Sequence, residues 1–304
     1  MNKKYLKVSE LRLLQLITLT ALQELKRLTK LLDINFYAIA GTLLGSYRHD
    51  GFIPWDSDLD VAMMRDDYEI FVKKADELID EKFIVQSDYS HKNNRTCFAR
   101  IRVKNTVINE KRNKILHDTS GFYIDIFPID KIKRKPNLID ITFHKFIKIL
   151  IRIKAYRNGK IYSSTKLRSL LGKLLNTIFI FVPYKNIHNF LNSYMRRHQH
   201  INTNLVTNYN SKYGIKKQTM DKTIYGIPQK HNFEGIEIPT PSLSQEWLGR
   251  IYGDYMRMPI IPDLDLASLM PSYDIDFGLY KNLLKCSEYE IRKSLDLPLF
   301  PSKH

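Results

Sequence analysis

Three aspartates recur at every second position in DSDLDV, at 56, 58 and 60. In an extended strand, residues two apart share a face. Asp58 and Asp60 are therefore expected to project side by side, while Leu59 and Val61 point to a core. Two carboxylates that close repel each other unless a cation lies between them. Oxygen donors suit hard divalent ions such as Mg²⁺ or Mn²⁺, which keep coordination positions open for phosphate. Just upstream, GTLLGSYR supplies Gly41, Thr42, Gly45 and Ser46. A turn of that composition lets backbone N–H groups come close to phosphate oxygens, and Arg48 adds a charge-assisted donor. Acids for a metal next to a glycine turn for phosphate point to metal-assisted phosphoryl or nucleotidyl transfer.

Asp-x-Asp alone is a weak signal: DLD at 263–265 and DID at 274–276 occur in Pro-rich surroundings, where capping and loop roles are ordinary. The 56–60 cluster differs because it follows a glycine turn and opens an alternating apolar strand. A further acid, Asp125, sits mid-strand in YIDIF between apolar neighbours, where it needs a partner or a cation. Its ordinary alternative is an ion pair with an arginine of 100–102. Arg100, Arg102 and Lys104 alternate along TCFARIRVK and share a face, suited either to a diphosphate or to solvent.

The elements that must position these groups can be read from periodicity. Leu11, Leu14, Ile17, Ala21, Leu25, Leu28 and Leu32 form a helical stripe, with Ser9 as its expected N-cap. INFYAIAG reads as a buried strand ending at Gly41, TLLGSYR as a short helix or turn, and SDLDVAM as a strand. RDDYEIFVKKADELI reads as a helix capped by Asp66 or Asp67. GFYIDIFPID reads as a strand stopped at Pro128. TIYGI and FEGIEIPTP are expected to pair as strands, and SLSQEWLGRIYG to form a helix. The sequence predicts an α/β fold whose small mixed sheet is flanked by helices.

The chain has 304 residues, a formal net charge of +16 and two cysteines far apart. That excludes a disulfide framework and a zinc-ribbon reading, and it favours acidic partners. The charge is concentrated: 131–200 holds 16 Lys and Arg against a single acid, Asp140, interleaved with apolar residues in helical patterns. Two divisions follow: a catalytic core over 1–130 and 226–304, and a basic, largely helical insertion over 131–225. Glu10 and Arg12 interrupt any signal-peptide core, and no apolar run reaches the ~18 residues a span requires. A cytoplasmic protein is expected, resting on the inner face of the cell membrane through peripheral contact with anionic lipid. An acidic glycan is the alternative partner of the insertion, and nucleic acid ranks below both.

GTLLGSYRHDGFIPWDSDLDV resembles the signature of the LicD family of cholinephosphotransferases, whose relatives include fukutin-like proteins and whose fold is of nucleotidyltransferase type. GFYIDIFPID and GIEIPTPSLSQEWLGRIYGDYMRMP resemble its later blocks, so the likeness covers about 35–75, 115–130 and 230–260. Ser57 stands where many members carry another aspartate. The resemblance implies Asp58, Asp60 and Asp125 as metal ligands and catalytic groups, with Mg²⁺ or Mn²⁺ as cofactor. It implies Gly41, Thr42, Gly45, Ser46, Arg48, Arg100 and Arg102 around the donor, and Asp56 orienting its neighbours. Trp55 then either packs in the core or holds a quaternary ammonium by cation–π attraction. The implied reaction moves phosphocholine from CDP-choline to a sugar hydroxyl of lipopolysaccharide, teichoic acid or capsule, or of a lipid-linked precursor. The alternatives are ribitol phosphate or glycerol phosphate as cargo, transfer of the nucleotide itself, and a non-catalytic membrane- or polyanion-binding protein.

Overall fold

A computed structural model describes residues 8–90, 96–110, 120–156, 184–258 and 273–299. Helix α1 (Val8–Leu32) leads into strand β1 (Tyr37–Ala38), helix α2 (Ala40–His49), strand β2 (Leu59–Met64) and helix α3 (Arg65–Leu78). Strands β3 (Phe83–Gln86), β4 (Ala99–Val103), β5 (Val107–Glu110) and β6 (Tyr123–Lys131) follow, then helices α4 (Leu138–Tyr156) and α5 (Tyr184–Arg196). Strand β7 (Leu205–Thr207), a single helical turn at Ile215–Gln218 and strand β8 (Met220–Asp221) lead to the hairpin β9 (Gln229–Phe233) and β10 (Ile236–Thr240). Helix α6 (Ser244–Tyr252), strand β11 (Tyr273–Asp276), a 3₁₀ segment (Gly278–Lys285) and helix α7 (Glu288–Ser294) complete the described chain.

The central sheet runs β1-β2-β6-β4-β3, with β7 on the far half of β6 and β8 beyond it. The β2–β6 pair is parallel and the others are antiparallel, so the sheet is mixed, as expected. Alternation sorts its two faces. Leu59, Val61, Met63, Ala99, Ile101, Val103, Ile124 and Ile126 are buried on one, against α1 and α3. Asp60, Arg100, Arg102 and Asp125 lie on the other.

The observed elements differ from the expected ones for physical reasons. Helix α1 already begins at Val8, so Ser9 lies inside its first turn. Leu13, Leu16, Leu19 and Leu22 are buried as well as the predicted stripe, because the 3₁₀ segment and α7 cover a second side of the helix. Strand β1 is only two residues long, and Gly41 lies in the first turn of α2. Neither Asp66 nor Asp67 caps α3: Met64 is its N-cap residue, Asp67 accepts the Asn35 N–H and Asp66 accepts Gln199 Nε2. Strand β6 runs through Pro128, which falls between the stretch paired with β4 and the stretch paired with β7, where only β2 flanks the strand. TIYGI contributes a 3₁₀ turn instead of a strand, and β10 pairs with 229–233.

Residues 205–225 join the main body: β7 and β8 extend the sheet, and Val206, Met220, Ile224 and Tyr225 enter its core. Helices α4 and α5 form a second cluster with Ile132, Ile147, Leu150, Ile187, Leu191 and Met195. Among the described residues no helix is long and apolar enough to cross a membrane.

Candidate active site

Sheet register brings the acids together. Asp60 on β2 stands opposite Asp125 on β6, and Asp125 stands opposite Arg100 on β4. Asp58 precedes Asp60 by two residues and completes a cluster. Oxygen atoms of Asp58, Asp60 and Asp125 lie within 4.8 Å of one another. Three carboxylates at that separation form an all-oxygen donor set that fits a hard divalent cation.

The electrostatics describe the same strain. Burial, followed by the charge of Asp56 and a hydrogen bond to it, pushes the Asp58 carboxyl up to about 7. Burial and the neighbouring acids Asp58, Asp125 and Asp56 hold Asp60 well above the usual carboxylate range. Asp125 is also raised by burial but is opposed by Arg100, whose Nε donates to Asp125 Oδ1 at 2.5 Å. Arg100 is itself fixed over the Tyr123 ring at 4.2 Å and the Phe98 ring at 5.4 Å. Asp125 thus takes up both of the roles considered for it: it belongs to the acidic cluster and it pairs with an arginine.

Helix α2 abuts this cluster at its N-terminal end. The Asp60 N–H donates to Thr42 Oγ1 at 2.7 Å, and the Ile39 N–H donates to the Asp60 carbonyl at 3.1 Å. As at any helix start, the first backbone N–H groups lack helical acceptors. A Cβ on Gly41 would stand 2.3 Å from Asp56 Oδ2, so glycine is what lets that carboxylate lie against the turn. Gln15 of α1 donates to the Asp56 carbonyl at 2.8 Å, which anchors the acidic loop to the core helix.

Other expected site residues have different surroundings. Gly45 packs on the Gly51 carbonyl, 2.3 Å from where its Cβ would lie. Ser46 is fully buried; its hydroxyl donates to the Asn232 carbonyl at 2.8 Å and meets His231 Nδ1 at 2.6 Å. Arg48 binds the Tyr255 carbonyl at 3.1 Å and His49 Nε2 at 3.0 Å, tying α2 to the segment after α6. Arg102 is buried, donating to Gln86 Oε1 at 2.6 Å and the Gly121 carbonyl at 2.7 Å; burial and Arg100 lower it to about 9. Trp55 is half-buried against the main core, with the His49 ring edge-on at 6.4 Å. The acids at 263–265 lie outside the described residues. Asp276 caps a turn by accepting the Gly278 N–H.

Sequence reasoning missed three groups. Lys212, from the loop after β7, feels the charges of Asp60, Asp58 and Asp56. Its Nζ sits 5.4 Å from the centre of the Tyr213 ring. Tyr213 donates to the Tyr252 hydroxyl at 3.0 Å, and Tyr252 is raised first by burial, then by Tyr213, Asp60 and Asp56. Tyr252 lies in the block GIEIPTPSLSQEWLGRIYGDYMRMP, where it reads as the end of a helix; no motif marks Lys212 or Tyr213, and only the return of the chain to the sheet places them here.

The loop carrying the acids is clamped from behind. Glu234, at the tip of the β9–β10 hairpin, accepts two bonds from Arg12 at 2.8 Å and a close one from Arg292. Its Oε1 also accepts the Phe52 N–H at 3.3 Å, and its own N–H donates to the Asp50 carbonyl at 2.8 Å. The loop between α2 and β2 is therefore fixed by a buried ion network.

Known proteins are similar to this chain over the segment that carries the cluster. Residues 33–144 match the family model described as LicD/FKTN/FKRP, nucleotidyltransferase domain. A lipopolysaccharide cholinephosphotransferase LicD of Haemophilus influenzae is 28% identical over 261 residues, which is 82% of this chain and 92% of that protein. An uncharacterized protein of Rickettsia typhi is 38% identical over 65 residues, 21% of this chain and 20% of its own. Another, of Rickettsia prowazekii, is 49% identical over 35 residues, 12% of this chain and 13% of its own. The matched segment, which holds β2, β4, β6 and the three clustered carboxylates, is a nucleotidyltransferase domain of the LicD family.

Proposed function

We propose that this LicD-type transferase moves phosphocholine from CDP-choline to a sugar hydroxyl of a cell-surface glycan, lipopolysaccharide in the first instance, or of its lipid-linked precursor. The observation that carries the reading is the cluster of Asp58, Asp60 and Asp125 beside the start of α2. The likeness to a lipopolysaccharide cholinephosphotransferase over 92% of that protein's length supports the choice of cargo and acceptor.

Asp58, Asp60 and Asp125 would hold Mg²⁺ or Mn²⁺, which when bound neutralises charge on the donor phosphates. Around it, the opening turn of α2 offers N–H groups at Gly41 and Thr42 to phosphate oxygens. Lys212 supplies positive charge near the acids. Arg100 holds Asp125 in place, and Asp56 orients Asp58 through their shared hydrogen bond. Gly45, Ser46 and Arg48 act as framework by seating α2 against the Gly51 turn, the hairpin and the segment after α6, and Arg102 does so by tying β4 to Gln86 and Gly121. Peripheral contact with an anionic membrane belongs to the same reading, since the acceptor is membrane-anchored and the charge of 131–200 is strongly positive.

The test is incubation of purified protein and Mg²⁺ with CDP-choline, CDP-ribitol or CDP-glycerol and a lipopolysaccharide acceptor, followed by mass spectrometry. Release of CMP with an acceptor gain of one phosphocholine is expected. Gain of a nucleotide, or turnover with ribitol or glycerol donors alone, refutes the proposed cargo. Absence of turnover with all three donors speaks for a binding protein.

A further inference from the structure

We propose that the outward face of α4 is a docking surface for an anionic lipid bilayer. The helix buries one part of its apolar surface and exposes the adjoining part. Ile147 and Leu150 are buried against Ile187 and Leu191 of α5. Next to them Leu138 and Ile139 are each 76% exposed, Phe143 45%, Phe146 44% and Ile149 37%, with one edge of the stripe anchored where the Phe143 ring packs on Tyr194 of α5 at 5.4 Å. Positions 139, 143, 146 and 149 fall on one stripe by helical periodicity, and the Phe143 and Phe146 rings are neighbours at 6.1 Å. Folded chains rarely leave so many large apolar side chains contiguous and exposed unless something covers them.

The charge around the stripe selects the occupant. Lys133, Lys135 and Lys145 are exposed beside it, in the segment that carries most of the net charge of the chain. A second copy would bring the same lysines against each other, which is repulsive. A nucleic acid would meet the lysines but has no use for an aromatic and aliphatic stripe. An anionic bilayer satisfies both features: headgroup charge meets the lysines, and Phe143, Phe146 and Ile139 enter the acyl boundary, as amphipathic interfacial helices do. This deepens the function proposed above by naming the surface that would meet a membrane-anchored acceptor, but its test does not depend on turnover.

The full chain is floated with vesicles of phosphatidylcholine alone and of phosphatidylcholine with about 30% phosphatidylglycerol. Binding is expected to the anionic vesicles and not to the neutral ones. Phe143→Ser with Phe146→Ser is expected to lower the partition coefficient at least tenfold, or about 1.4 kcal/mol, while circular dichroism is unchanged and the melting temperature falls only modestly through the lost Phe143–Tyr194 contact. Lys133→Glu with Lys145→Glu is expected to abolish the preference for anionic lipid. Equal flotation on both vesicles, or a double serine variant that floats like the wild type, overturns the proposal. So does a wild-type dimer that the serine variant converts to monomer. CMP release with a soluble acceptor fragment should be the same in the serine variant as in the wild type. If the wild type releases none, the proposed reaction fails, and docking is judged by flotation alone.

Discussion

Replacing Asp58 with asparagine keeps the size of the side chain and its bond to Asp56 but removes one of three crowded charges. In the metal-free protein the Asp58 carboxyl is held at about 7 instead of the ordinary 3.8, by burial first and Asp56 second. A carboxyl raised on folding binds its proton more tightly in the native state than in the unfolded chain. Stability from this group is therefore highest at low pH and is lost as pH rises from about 4 through 7. The gap between 3.8 and about 7 corresponds to roughly 4 kcal/mol at full ionisation. Relaxation and sharing with Asp56 leave about 1–3 kcal/mol for the substitution to recover, an increase of about 3–8 °C in melting temperature. The assay is thermal unfolding in EDTA at pH 8 and pH 5, repeated with Mg²⁺. Asp58→Asn should melt above the wild type at pH 8 and approach it at pH 5. Mg²⁺ should stabilise the wild type and not the variant, and turnover should fall at least about 100-fold. A variant that melts below the wild type in EDTA would show that Asp58 holds the fold together. An equal Mg²⁺ response in both proteins would place the cation elsewhere.

Gly41→Ala puts a methyl where Asp56 Oδ2 lies, 2.3 Å away; turnover should drop about tenfold or more while circular dichroism is unchanged, and full activity would detach the α2 turn from the chemistry. Lys212→Met removes positive charge facing the acids, so KM for the CDP-activated donor should rise about tenfold while the thermal shift with Mg²⁺ persists or grows; an unchanged KM would exclude Lys212 from donor binding. Glu234→Gln leaves Arg12 and Arg292 without their shared carboxylate in a buried setting, and urea unfolding should report a loss of about 3–5 kcal/mol. A loss below about 1 kcal/mol would mean that water already supports those guanidinium groups.

The two-residue spacing of Asp58 and Asp60 was readable because a strand has a period of two, and the leucine and valine on either side of Asp60 fixed which side met the core. The partner acid was readable only as an oddity, a charge in the middle of YIDIF. That Asp125 stands opposite Asp60 is a matter of register between strands more than sixty residues apart, and no local pattern encodes it. The hydroxyl and glycines of GTLLGSYR look alike in sequence, yet the helix they form divides them. Gly41 and Thr42 are at its beginning beside the acids, and one turn on Gly45 packs on the Gly51 carbonyl and Ser46 on the hairpin. Pro128 misled because its missing donor is costly only where two neighbours flank a strand, and that depends on where β4 ends and β7 begins.

The same reasoning explains why the basic stretch resists division by composition. The charge of 131–200 and the helical patterning around it suggest a separate insertion over 131–225, but the end of that span gives β7 and β8 to the sheet and Lys212 and Tyr213 to the surroundings of the acidic cluster. A cation and an aromatic hydroxyl delivered by that segment couple the basic surface to the site. If α4 meets a charged bilayer, two short stretches join that face to the site: β6, which carries Asp125, leads into α4, and the chain after α5 returns to Lys212. Lys212→Met should therefore leave vesicle flotation intact while weakening donor binding, and Phe143→Ser with Phe146→Ser should do the reverse. A variant at either place that impaired both would mean the two surfaces act as one.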